Sequence, residues 1–168
     1  MPDLAVIPEA EHERLDRLER AMLGAAGAGL TAPVELPVEH RHFPGLYARE
    51  IFMPAGTLLT SKIHNTEHPY VVLTGCVSVF IPGVGVERIE APFVGTTRPG
   101  TRRVLYIHED CRWITFHPNP ENLSVADLEE RIIERREVNG ETAYELYAAM
   151  LDEMTKELPG QADFGGAP

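Results

Sequence analysis

Between about His40 and Pro118 the chain is a succession of short β-like segments, and this limits its fold more than any other feature. LYAREIFM, TLLTSKIH, YVVLTG, CVSVFI, VERIEA, RRVLYIH and RWITFH run six to eight residues each. They are rich in Val, Ile, Tyr, Phe and Thr, which suit a pleated, half-buried surface. Turn signals separate them at Pro54-Ala55-Gly56, Gly75, Pro82-Gly83, Pro99-Gly100 and Glu109-Asp110. No long helical pattern interrupts the run, so a parallel βαβ sheet is not expected. Short strands at this spacing predict an antiparallel sandwich or barrel.

Helical segments flank this zone. Pro8 suits a helix start, acids follow, and Leu15, Leu18, Met22 and Ala25 form an apolar stripe that ends in GAAGAGL. TAPVELP reads as an extended connector. After the strands, Ser124 can cap a helix with Val125, Leu128 and Ile132 on one face. A second C-terminal helix is expected beyond Asn139-Gly140, carrying Tyr147, Leu151, Met154 and Leu158. Pro159-Gly160 stops it, and the tail QADFGGAP reads as disordered. The expected organisation is residues 1–39 as N-terminal helix and connector, 40–118 as the β domain and 119–168 as a helical extension.

Charge narrows the partners. The net charge of −11 argues against a nucleic-acid binder, whose affinity comes from Lys and Arg on phosphates. Apolar runs such as YVVL are far shorter than the ~20 residues of a membrane span. The N-terminus lacks a basic start followed by an apolar core, so a cytoplasmic or virion location is expected, not secretion. Cys76 and Cys111 form no CxxC pair and read as small buried residues. No GxSxG, P-loop or GxGxxG is present. Trp113 reads as a core aromatic.

The chemistry concentrates between Gly56 and Gly75. His64 and His68 stand four apart there, bounded by glycines. Two imidazoles in one place can bind a metal, bind an anion or shuttle a proton. Gly56 is followed after five residues by Lys62-Ile63-His64, then after three by His68, then after six by Gly75. That spacing resembles the first motif of the cupin superfamily: a glycine, five residues, His-X-His, three or four residues, a glutamate, six residues and a glycine. Lys62 takes the place of the first histidine and His68 that of the glutamate. The second cupin motif is matched partially by Gly95 to Arg103, with Arg103 in place of the last histidine. The wider pattern, REIFMPAGTLLTSKIHNTEH and then RIEAPFVGTTRPGTRRVLYIHEDCRWITFHP, is similar to small cupin-like proteins encoded by phages and prophages.

The resemblance implies a cupin-type antiparallel β-barrel, or jelly roll, with one N-terminal and two C-terminal helices. It also implies a homo-oligomer, most simply a dimer. In the motif register Lys62, His64, His68, Tyr70 and Arg103 face the interior as ligand-binding residues, with His64 and His68 as metal ligands for Fe, Mn, Ni or Zn. A two-residue turn at Glu109-Asp110 would turn Arg112, Ile114 and Phe116 inward and send His108 and His117 to the other face. A third metal ligand would come from Glu67, Glu50, His42, His108 or His117. His12 reads as a solvated residue on a polar helix face, and the pair His40 and His42 as exposed residues of a connector before the first strand.

Three readings of the site stand open. One is a metal bound through the two histidines. Another is an anion pocket lined by Lys62, Arg103 and the imidazoles. In the third, Arg103 pairs with an inward acid such as Glu50 and the histidines are simply hydrogen-bonded. The matching functions are a small-ligand-binding cupin, a metal-dependent oxygenase, isomerase or lyase, and a virion structural protein with a relic pocket.

Overall fold

A computed structural model describes residues 7–32 and 34–135 in full, and residues 137–138 and 141–142 as backbone. Two compact units are distinguished. The first comprises Met1–Leu15 and Val34–Arg135, the second Asp16–Pro33 and Arg136–Pro168. Helix α1 (Glu9–Gly27) begins in the first and ends in the second. Of the second unit the structure otherwise shows one antiparallel pair, Glu137–Val138 with Glu141–Thr142. The expected helix through Tyr147 and Leu158 lies outside the described residues.

The first unit is mainly antiparallel β-structure. Its strands are β1 (Val38–Phe43), β2 (Gly45–Met53), β3 (Leu58–Thr60), β4 (Ile63–His64), β5 (His68–Ile81), β6 (Gly85–Glu90), β7 (Phe93–Thr97) and β8 (Val104–Asn119). Helix α2 (Val125–Ile132) and the short strand β9 (Ile133–Glu134) follow. The long strands β5 and β8 pair with each other along their length and carry the rest. β2 pairs with the end of β8 and β1 with β2, while β7 lies on the start of β5. β3 lies on the start of β8 and β6 on the end of β5. Tyr70, Val72, Val77, Val79, Leu105, Ile107, Cys111 and Trp113 form the core with Met53 and Ile89. Both cysteines are buried and free, and burial raises the Cys111 thiol to about 11. Among the described residues no pairing joins the edge strands β1 and β6.

Two turn signals act differently from expectation, and for one reason. Gly75 does not end a strand, and Glu109-Asp110 makes no hairpin. Both lie inside long strands, opposite each other, where the β5–β8 register shifts. Gly75 adopts φ +89°, and a Cβ there would lie 2.5 Å from the Asp110 carbonyl oxygen and 2.7 Å from that of Glu109. The glycine lets two backbones meet at a bulge. On β5 the inward set switches there, from His68, Tyr70 and Val72 to Val77 and Val79. On β8 the inward set stays odd-numbered throughout, including Leu105, Ile107, Cys111, Trp113 and His117. The expected reversal to Arg112, Ile114 and Phe116 does not occur.

Beyond the sheet, Ser124 caps α2 as expected, accepting from the Asp127 amide at 3.2 Å. Leu128 and Ile132 are buried against Tyr47. The helix stops at Ile132 rather than at the Asn139-Gly140 signal, because Ile133 turns extended and pairs with His64. His12, expected to be solvated, is only 6% exposed, and its carbonyl accepts from the Arg102 guanidinium at 3.2 Å. No described helix is long and apolar enough to cross a membrane.

Candidate metal centre

Three histidines meet on the inner face of the sheet. His64 sits on β4, and the segment after the sheet holds it. Its residue pairs with Ile133, its carbonyl accepts from the Gly100 amide at 2.9 Å, and the neighbouring Asn65 amide donates to Ile132. His68 opens β5 and His117 lies near the end of β8. Ring centroids are 4.3 Å apart for His64–His68, 4.4 Å for His68–His117 and 5.2 Å for His64–His117. One nitrogen from each ring falls within 4.8 Å of the others. Nitrogens bound to one zinc at 2.0–2.1 Å sit about 3 Å apart, so small side-chain rotations close the set.

The hydrogen bonds leave lone pairs where a metal needs them. Thr115 Oγ1 lies 3.5 Å from the Arg49 carbonyl and 3.2 Å from His117 Nε2. With Nε2 engaged there, Nδ1 is the His117 nitrogen left over for another partner. His117 Nδ1 is fully buried and has no hydrogen-bond partner among the described residues. His68 Nδ1 donates to the Thr66 carbonyl at 3.2 Å, which frees Nε2. Burial holds His64 down to about 3 and His117 to about 4, with their histidine neighbours and Arg49 adding to the effect. His68 is lowered too, chiefly by burial. All three are therefore neutral ligands near pH 7.

Cations and hydroxyls surround the triad. Arg103 is 8% exposed and donates to Thr97 Oγ1 at 3.0 Å. Thr97 lies directly opposite His68. The Arg103 guanidinium carbon lies 5.3 Å from the Tyr70 ring centroid, and that ring stacks on Trp113 at 4.4 Å. Gly95 admits the Tyr70 ring, whose hydroxyl would lie 2.5 Å from a Cβ at that position. On the other side Arg49 faces Thr115 across β2 and β8. Tyr47, fully buried, lies opposite His117 and is bonded through its hydroxyl to His40 Nδ1 at 2.6 Å. Burial lowers Arg49 and Arg103 and raises Tyr47 and Tyr70.

The structure thus brings His64, His68, Tyr70 and Arg103 together and places Lys62 elsewhere. Lys62 is half exposed, with its ammonium 3.0 Å from Glu129 of α2. Residues 61–62 lie between β3 and β4, so strand alternation does not carry Lys62 to the His64 face. Among the five candidates for a third ligand, His117 occupies the site. Its expected place on the other face followed from the hairpin that does not form. Glu50 instead holds Arg41 at 2.6 Å and Arg112 through Nε at 2.6 Å, so it does not pair with Arg103. Those guanidinia lower its carboxyl. His108 bonds Ser78 Oγ at 2.7 Å, Glu67 is exposed, and His42 packs beside Tyr47. His40 and His42 belong to β1 rather than to a connector, on the face of their partners Arg49 and Tyr47. Arg49, Tyr47, Thr97 and Thr115 carried no motif signal. Only their strand parity relative to His117 would have shown them.

The buried imidazoles make stability depend on pH. Their folded values lie below the ordinary 6.5, so between there and about 3 to 4 the unfolded chain binds protons that the folded chain refuses. Stability is therefore lost as pH falls through this window. Glu50, also lowered, adds its loss only below its ordinary 4.5. Thermal melting of metal-free protein should show Tm falling steadily from about pH 6.5 downward, with a shallower slope for His64→Gln. A flat profile would contradict neutral burial of the triad.

No family model and no curated protein matches this chain. Among solved structures, it is similar to ectoine synthase from P. lautus, at 12% identity and a TM-score of 0.49, over 60% of this chain and 75% of that one. It is similar to KdgF from Halomonas sp., at 14% identity and a TM-score of 0.44, over 55% and 88%. A third is a cupin-2 domain protein from Shewanella frigidimarina, at 10% identity and a TM-score of 0.41, over 53% and 84%.

Proposed function

We propose that this chain is a cupin-like protein that binds one divalent transition metal through His64, His68 and His117 and presents it to a small ligand. The observation that carries this is His117 Nδ1, a buried nitrogen with no hydrogen-bond partner among the described residues, in a ring that meets those of His64 and His68. A purely structural histidine would be expected to have both nitrogens satisfied. The motif spacing that sets His64 and His68 together supports the family reading. Imidazole donors suit Zn, Fe or Ni. Three protein ligands leave a coordination position open, as catalytic sites do and closed structural sites do not. A metal there would act as a Lewis acid toward the ligand it holds. Around it, Tyr70, Thr97 and Arg103 would orient that ligand, and the core below excludes water.

The test is metal analysis of protein purified without chelator or nickel chromatography, followed by zinc and cobalt titration. About one equivalent is expected, with a tetrahedral or five-coordinate cobalt spectrum. Less than about a tenth of an equivalent after growth in supplemented medium, with no binding on titration, would overturn the proposal.

A further inference from the structure

We infer that Arg49 and Arg103, placed on either side of the histidine triad, are the two anchors of a small dicarboxylate ligand. This deepens the metal-binding reading and rests on it for the centre of the site. Arg103 approaches from the His68 side, through Thr97 opposite that residue. Arg49 approaches from the His117 side, opposite Thr115, whose hydroxyl holds the His117 ring. A guanidinium offers five N–H donors in a planar fork. Arg103 has one side-chain hydrogen bond, to Thr97, and the Arg49 guanidinium has no hydrogen-bond or ion-pair partner among the described residues. Both remain protonated at neutral pH, because arginine does not yield its proton in proteins.

Arg103 is buried and Arg49 partly buried, and cations so placed need counter-charge. The nearby carboxylates are engaged elsewhere. Glu50 is held by Arg41 and Arg112, and Glu129 is close enough to act on Arg49 but its carboxylate is on Lys62. The positive interior is a local arrangement, because the whole chain carries −11. A divalent ion on the histidines would deepen the deficit. Among the described residues no carboxylate supplies the compensating charge, and an anionic ligand would bring it. Its distribution follows from where each cation stands: Arg103 is tied to Thr97 opposite His68 and acts on His64 and His68, while Arg49 stands opposite Thr115 and acts on His64 and His117. A phosphate concentrates its charge in one place. Two carboxylates at the ends of a short chain meet both forks, and one of them can also reach the metal.

Calorimetric titration of the full chain, zinc-loaded and metal-free, with malonate, succinate, acetate and inorganic phosphate tests this. Malonate or succinate should bind at least about 10-fold tighter than acetate, since each charge-assisted fork adds roughly that factor. Arg49→Gln and Arg103→Gln should each weaken dicarboxylate binding about 10- to 100-fold. Zinc affinity in both variants should be equal to or higher than in the parent, because a repelling charge is gone. Equal binding of acetate and dicarboxylates, phosphate binding tighter than either dicarboxylate, or arginine variants that bind as the parent does would each overturn the inference. If zinc fails to bind, the metal reading falls while the metal-free titration still judges the arginines. If a variant fails to fold by circular dichroism, the dicarboxylate-to-acetate ratio of the parent protein decides.

Discussion

Replacing His117 with alanine is expected to lower zinc affinity by about 100-fold or more, as much as replacing His64 or His68. Binding free energies of about 10–16 kcal/mol for four-ligand zinc sites put each ligand at about 3 kcal/mol, which is that factor. The claim is demanding because His117 lies far along the chain from the other two and joins them only through the β5–β8 pairing. Its Nδ1 is a buried atom without a hydrogen-bond partner among the described residues, and Thr115 lies 3.2 Å from its other nitrogen. Thr115→Val should therefore weaken zinc binding by a smaller factor, about 10-fold, through loss of that orientation. His108→Ala is the control. It is also a β8 histidine, but it faces the other way and bonds Ser78. Competition titration against a chromophoric chelator gives all these affinities. Equal zinc binding by His117→Ala and the parent would remove His117 from the ligand set.

Gly75→Ala is expected to cost about 3 kcal/mol or more of stability, enough to lower Tm by roughly 10 °C in a chain of this size. Two penalties add. A left-handed backbone at φ +89° costs an L-residue about 1–2 kcal/mol. The new methyl would also lie 2.5 Å from the Asp110 carbonyl oxygen, a backbone atom that cannot rotate away. Gly56→Ala separates the two. Gly56 has φ +81° with nothing within 4 Å of where the methyl would sit, so it should show the conformational cost alone, about 1–2 kcal/mol. Urea unfolding of both variants measures the difference. Equal costs would mean that the strands do not approach each other closely at Gly75.

The strand zone could be read in the sequence because period and composition are local. VVLTGCVSVFI and RRVLYIHEDCRWITFH are rich in β-formers, and the observed strands cover them apart from Arg102 and Arg103. The merging of these segments into two long strands could not be read, since Gly75 and Glu109-Asp110 look like turns in isolation. They become a bulge only when placed opposite each other. β1 and β7 were missed for a related reason. EHRHF is weak by propensity and FVGTT is short and interrupted by Gly95, and both are stabilised by the neighbours they pair with.

The site divides the same way. His64 and His68 lie within one stretch, and their spacing brings them together in any fold that keeps its register. Tyr70 follows from His68 by strand alternation, and Arg103 from the partial second motif between Gly95 and Arg103. His117 depends on whether β8 turns back or runs on, which decides the face of every residue after Ile107. Lys62 depends on where β4 begins, and the pairing of His64 with Ile133 sets that. Glu50, a natural partner for Arg103 by composition, is taken by two other arginines.

By itself, then, the sequence determined the β architecture, the flanking helix starts and a two-histidine nucleus, since each rests on contacts between residues near in the chain. The third ligand, the flanking Arg49 and the removal of Lys62 to the surface were decided only by tertiary structure. Each depends on pairing between distant segments: β8 running on past Asp110 for His117, β2 lying on β8 for Arg49, and His64 pairing with Ile133 for Lys62.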